Sequence, residues 1–155
     1  MIKSSDLLDT AKRLLGGSPT QTDLRRSISA AYYAVFHHVC SHFSTIVFQP
    51  TDVPHLNSWL LAYRYLDHGP AKQRCQDVAL NTRSFPDGIV KFSVAFVELQ
   101  QRRIDADYDP SLSFAPADAY SLIDRAQKAI DAFNAEPLEV QRAFVVFIGL
   151  RAKNR

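Results

Sequence analysis

Apolar residues recur along this chain at steps of three and four, and strict alternation is scarce. That spacing is helical. At about 100° per residue it lays Leu7, Leu8, Ala11, Leu14 and Leu15 along one face of a helix over residues 5–15. Ser4 or Ser5 is placed to cap its first amides. Gly16-Gly17 stops it, because glycine enters the left-handed conformation without steric cost, and Pro19 reinforces the break. A second helix is expected from a cap at Thr22 to about Ser44. Leu24, Ile28, Ala31, Val35 and Val39 form its stripe, widened by Tyr32, Phe36 and Phe43. A loop around Pro50 to Pro54 follows.

Leu56, Trp59, Leu60, Tyr63 and Leu66 suit a short helix that Gly69-Pro70 closes, with His68 at its end. Another short helix fits residues 71–80, and Asn81 to Pro86 read as a loop. A long helix is expected over 86–105, with proline in its first turn and Ile89, Phe92, Phe96 and Leu99 on one face. The next starts near Pro116 and carries Ala119, Leu122, Ile123, Ala126, Ile130 and Phe133. After Pro137, a helix over 138–152 carries Val140, Phe144, Val145, Phe147 and Ile148. Short links between long helices favour antiparallel neighbours. The predicted fold is therefore all-α, an antiparallel up-and-down helical bundle of four to five main helices. Residues 1–136 form the bundle, and residues 137–155 form a C-terminal helical extension packed on the same domain.

Composition adds limits. The chain has 155 residues, one ordinary domain, and 46% apolar residues supply a real core. Net charge is +2, too weak to imply nucleic acid, which needs a local cluster of cations. The C-terminal group Arg142, Arg151, Lys153 and Arg155 is such a cluster, though it equally suits a solubilising helix end that complements the helix dipole. Cys40 and Cys75 make neither a disulfide framework nor a metal motif, and read as free thiols of a cytoplasmic protein. The N-terminal MIKSSDLL starts a helix and lacks the apolar region of a signal peptide. No stretch approaches the roughly 20 apolar residues of a membrane span.

Three features depart from a plain bundle. On the second helix, Arg26, Ser29, Tyr33, His37 and Cys40 cluster away from the apolar stripe. A hydrogen-bonded pair under a neighbouring helix, a dimer contact and a chemical role all fit that face. His38 and His42, beside the stripe, are four apart as zinc ligands can be, but no acidic or cysteine partner lies at ligand spacing. They read as core-edge histidines with one bonded nitrogen, and neither a metal nor a cofactor is expected. Arg103 continues the series Phe92, Phe96, Leu99 onto the buried face, where cations are rare unless paired. Asp107 lies four residues on, so the two can form an ion pair that fixes the helix end, or the arginine can sit near a cleft to hold phosphate, with the Tyr108 hydroxyl adjacent. His68 in DHGP is either favoured by a negative helix terminus or part of such a cleft. No nucleophile elbow, phosphate-binding glycine loop or dinucleotide fingerprint is present.

The segments RRSISAAYYAVFHH, DHGPAKQRC and QQRRIDADYDPSLSF, in that order, resemble the HEPN (higher eukaryotes and prokaryotes nucleotide-binding) superfamily, in a bacterial branch with a YYA-x-FH helix and a later R-x-x-x-DY element. The matching positions are Tyr32, Tyr33, Ala34, Phe36 and His37, then Arg103, Asp107 and Tyr108, and the likeness spans residues 5–135. It implies a four- or five-helix bundle, usually a homodimer with a cleft along its axis. Many members are ribonucleases of toxin–antitoxin, phage-defence or RNA-processing systems, others are inactive binding modules, and many pair with a small nucleotidyltransferase. Active members carry an arginine and, four to six intervening residues later, a histidine. Here Arg102 and Arg103 are present, but no histidine lies from Ala106 to Ser111. A carboxylate repels phosphate and is a poor substitute for imidazole as a proton shuttle at neutral pH.

The expectation is therefore a non-catalytic binding domain with a cleft built from Arg103, Asp107, Tyr108, Tyr33, His37, Arg26 and Arg102, whose partner is RNA or a nucleotidyltransferase-type protein. In a rival reading, a metal-independent ribonuclease toxin, Arg103 stabilises the reacting phosphate and His37 or His68 replaces the missing histidine. A purely structural dimerisation module is a third.

Overall fold

The computed structural model describes residues 2–47 and 56–150. The loop expected around Pro50 to Pro54, residues 151–152 of the expected C-terminal helix, and the cations Arg151, Lys153 and Arg155 lie outside the described residues.

Seven helices follow in chain order: α1 (Ser4–Arg13), α2 (Gln21–Val47), α3 (Leu56–Tyr63), α4 (His68–Leu80), α5 (Asp87–Tyr108), α6 (Pro116–Ala135) and α7 (Leu138–Gly149). No strand occurs among the described residues, and no helix there is long and apolar enough to cross a membrane. The expected stripes are the core. Ile28, Val35 and Val39 of α2, Ile89, Phe92, Phe96 and Leu99 of α5, and Phe133 of α6 are fully buried.

Cross-helix pairs set the directions. Ser27 of α2 donates to the Ala11 carbonyl of α1. Ser29 and Tyr33, early in α2, meet Asp107 and Arg103, late in α5, so these helices are antiparallel. At the start of α5, the Gly88 amide donates to Glu136 just past α6 at 2.8 Å, and Glu98 pairs with Arg125 at 2.9 Å, so α5 and α6 are antiparallel too. His38 of α2 bonds Asn134 near the end of α6, and Gln21 bonds the backbone of Phe114 ahead of its start, so α2 and α6 run parallel. Helices α2, α5 and α6 thus run up and down in one bundle, and α1 packs against α2 and α6 in it. Helix α7 adds Phe144, Val145 and Ile148 to the same core, with the Phe144 and Phe92 rings 5.8 Å apart.

Several helix ends differ from expectation. Neither Ser4 nor Ser5 caps α1, which begins at Ser4 with Lys3 in the capping position and no side-chain cap. Helix α2 is capped by Thr20, not Thr22. The Thr20 hydroxyl accepts from the Asp23 amide at 3.2 Å, while the Asp23 carboxylate accepts from the Thr20 amide at 2.8 Å, a reciprocal pair that satisfies both donors. Gly17 takes the left-handed conformation, φ 69°, that ends the α1 turn.

The largest correction concerns DHGP. Gly69-Pro70 does not close α3, which ends at Tyr63, but lies in the first turn of α4, whose first residue is His68. Proline is tolerated there because a first-turn amide has no intrahelical acceptor. Helix α5 runs on to Tyr108, which keeps Asp107 on the same helix face as Arg103.

Candidate functional site

Helix α2 presents four side chains at four-residue steps, Arg25, Ser29, Tyr33 and His37, and each engages another element. Arg25 donates to the carbonyls of Ala106 (2.7 Å), Asp109 (3.0 Å) and Leu112 (2.5 Å), which receive no intrahelical amide because α5 ends there. Its guanidinium carbon lies 5.4 Å from the Phe114 ring centroid. Gln21 fixes the same turn through both of its amide atoms to the Phe114 backbone. Ser29 donates to one carboxylate oxygen of Asp107, Tyr33 accepts from Arg103, and His37 bonds the Tyr63 hydroxyl of α3 through Nδ1. The last turn of α5 is therefore fastened to α2 by three successive turns.

Arg103 is the centre. Its side chain is 14% exposed and that of Asp107 is 25% exposed. Nη2 donates to the Tyr33 hydroxyl at 2.6 Å. Nε lies 3.0 Å from the second carboxylate oxygen of Asp107, but its N–H is not aimed along that line, so the contact is an ion pair without an aligned hydrogen bond. The guanidinium carbon stands 5.3 Å from the Tyr33 ring centroid, 5.8 Å from Tyr32 and 5.7 Å from Tyr108, all within cation–π range. Burial disfavours the cation, but the Tyr33 hydroxyl and the negative potential of Tyr33, Asp107 and Tyr108 outweigh it and raise its pKa.

Two imidazoles flank Tyr33, with ring centroids 6.1 Å (His37) and 5.9 Å (His68) from its own. His68 stacks on Phe36 at 3.9 Å, and its Nδ1 is 2.6 Å from the hydroxyl of Tyr32. As the first residue of α4 it meets the positive end of that helix, the opposite of the sequence expectation, and the dipole opposes its protonation. Burial, then the charges of Arg103 and His37, lower its pKa against a weaker opposing effect of Asp67. Burial alone lowers His37. Burial also pushes Tyr63 up to about 12 and raises Tyr32 further, so both hydroxyls keep their protons at neutral pH. In the tautomer where Tyr32 donates to Nδ1, the His68 hydrogen sits on Nε2.

An open pocket of about 480 Å³ lies beside this centre, lined by Gln21, Arg25, Asp107, Tyr108, Pro110, Leu112 and Ser113. Tyr108, 69% exposed, stands at its edge.

Of the expected cleft residues, the structure brings together Tyr33, Arg103, Asp107 and Tyr108, with His37 and His68 one ring away. Arg26 is exposed and makes no hydrogen bond or ion pair among the described residues. Its neighbour Arg25, 100° round the helix, takes the place expected of it. Arg102 faces Asp105 (3.7 Å) and the Phe114 ring (5.3 Å) rather than the Arg103 group. Cys40 is buried, not part of an open face, and Cys75 is buried as well; both are free. His38 bonds Asn134 at 2.9 Å and His42 bonds the His38 carbonyl at 2.9 Å, both edge-on to Phe133, as core-edge histidines should. Burial and then His42 push His38 down to about 4.

Arg25, Gln21 and Tyr63 were missed by sequence reasoning. The only local signal for Arg25 is its place four residues before Ser29. Compared with family models, curated proteins and solved structures, the chain matches none.

Proposed function

We propose that this chain is a HEPN-like, non-catalytic binding domain that works as a homodimer in the cytoplasm. Arg103 receives an anionic group, from RNA or from an acidic surface of a nucleotidyltransferase-type partner, in a toxin–antitoxin or nucleotidyltransferase-linked setting. The observation that carries this reading is a mostly buried guanidinium held by Tyr33 and Asp107, with Asp107 and Tyr108 beside it lining an open pocket. A planar fork of donors, pre-oriented in a partly desolvated place, suits phosphate and carboxylate. The non-catalytic half rests on Asp107, which stands where active HEPN members are expected to carry histidine. Neither His37 nor His68 hydrogen-bonds Arg103, and each has Nδ1 committed to a tyrosine.

The test is binding of a labelled single-stranded RNA across a salt series, wild type against Arg103→Ala, with oligomeric state followed by light scattering. Removing one phosphate contact should weaken binding and reduce the slope of log affinity against log salt by about 0.7 for a single strand. Equal binding by both proteins, to RNA and to a candidate nucleotidyltransferase alike, sinks the reading.

One observation favours a ribonuclease instead. His68 and His37 are held without charge beside the tyrosine that bonds Arg103. Neutral imidazoles are poised for proton transfer. Cleaved RNA with wild type and intact RNA with Arg103→Ala would select that alternative.

A further inference from the structure

Building on Arg103 as an anion-binding group, we propose that Asp107 is a built-in competitor for that anion, an internal carboxylate that occupies the cation until a ligand displaces it and so sets which anions the site accepts.

A positioning role for Asp107 and a competing role differ in geometry. A carboxylate that merely orients a guanidinium bonds it in line and leaves the outward donors free. Here the carboxylate faces Nε at 3.0 Å without an aligned hydrogen bond, whereas the alignment of the guanidinium comes from Tyr33 at 2.6 Å through Nη2. Charge neutralisation is thus the main thing Asp107 gives Arg103. The carboxylate is also held independently of the arginine, because its other oxygen accepts from the buried Ser29 hydroxyl.

The surroundings let it yield. Asp107 and Tyr108, both against Arg103, line the pocket of about 480 Å³, so an incoming anion meets the carboxylate there and the carboxylate has open space beside it. It sits one residue from the C-terminal end of α5, where the helix dipole disfavours negative charge. Among the described residues Arg103 is the one cation in an ion pair with Asp107: Arg25, which lines the same pocket, gives its hydrogen bonds to carbonyls, and Arg102 is paired with Asp105. Tyr108, which lines the same pocket, contributes to Arg103 an aromatic face without a full charge.

Such a site rejects anions that bind a bare arginine only weakly. It takes a phosphate-type oxyanion whose charge outcompetes one carboxylate, or a ligand that also brings a donor to Asp107.

Inorganic phosphate is the probe, titrated while the side-chain Nε–H resonance of Arg103 is followed by NMR. Asp107→Asn keeps an acceptor for Ser29 and removes the charge. Phosphate affinity should rise on the order of three- to tenfold, the scale of a partly exposed ion pair. Ser29→Ala, which loosens the carboxylate without changing charge, should give a smaller rise in the same direction. Asp105→Asn, an equal charge change on the same helix end, should change affinity less than twofold. Thermal melts establish that each variant is folded. Unchanged or weaker binding in both Asp107→Asn and Ser29→Ala, with phosphate still shifting Arg103, overturns the competitor role and leaves Arg103 as the anion site. An equal rise in Asp105→Asn overturns it too, by reducing the effect to net charge. If phosphate shifts Arg103 in none of these proteins, the anion-binding reading itself fails and the competitor goes with it.

Discussion

The imidazole of His68 lies on the ring of Phe36, with 3.9 Å between centroids and 27° between planes. This stacking, with the hydrogen bond to Tyr32, places a titratable ring where burial and Arg103 both resist its charging.

Acid should therefore destabilise the fold before the carboxylates titrate. His37, His38 and His68 all have folded pKa values below the unfolded value of 6.5. The unfolded chain then binds protons more readily, so stability is fully present above pH 6.5 and falls as pH drops through that value. For His38 the loss continues to about pH 4. His38 alone should give up about 2 kcal/mol between pH 7 and pH 5 in urea unfolding, with His37 and His68 adding to the loss. Flat or rising stability over that window would contradict it.

Tyr33 and Arg103 should be energetically coupled. A double-mutant cycle with Tyr33→Phe and Arg103→Ala should give about 1–2 kcal/mol, as expected for a hydrogen bond to a charged donor. A value near zero would mean the 2.6 Å contact has no weight in solution.

Arg25→Ala should cost about 2–4 kcal/mol, because three α5 and loop carbonyls lose their donor and Phe114 keeps only one of its two cations, Arg102. Hydrogen exchange should speed up first in residues 104–114. Arg25→Lys should recover only part of the loss, since one ammonium cannot span the three acceptors.

Much of the fold was legible because the same periodicity that marks a helix also marks its buried side. Ile89, Phe92, Phe96 and Leu99 recur at three- and four-residue steps, and all four are fully buried. Arg103 stood out as a cation on that stripe, and so did its pairing with Asp107. The start of α4 was not legible, since Gly-Pro reads as a stop although proline fits equally well in a first turn, and the packing of His68 on Phe36 is a contact with a residue 32 positions earlier. Arg25 was hidden for another reason. Its acceptors are backbone carbonyls more than 80 residues away, and a carbonyl carries no residue identity.

Gly88→Ala should destabilise by about 1–3 kcal/mol, as overpacking does. A Cβ there would stand 2.5 Å from the Ala132 carbonyl and closer still to the Glu136 carboxylate, which the Gly88 amide needs as its acceptor. A melting temperature equal to wild type would show that α5 and α6 can separate at this end without cost.

Cys40 and Cys75 should resist thiol reagents in the native state. Both are buried, and burial pushes the Cys40 thiol up to about 12 and Cys75 further, so almost no thiolate is present at neutral pH. Labelling should proceed at the rate of unfolding and accelerate in urea. Rapid modification without urea would contradict the burial.

The series Arg25, Ser29, Tyr33, His37 makes α2 a ruler. Because its marks share one four-residue interval, inserting or deleting a single residue between any two rotates everything beyond by about 100°. Contacts past the lesion would then be lost together. Substitution can tune this centre one group at a time, but a frame change within α2 cannot leave it half built, and variants that retain the centre should keep the length of residues 25–37 while the loops around it vary.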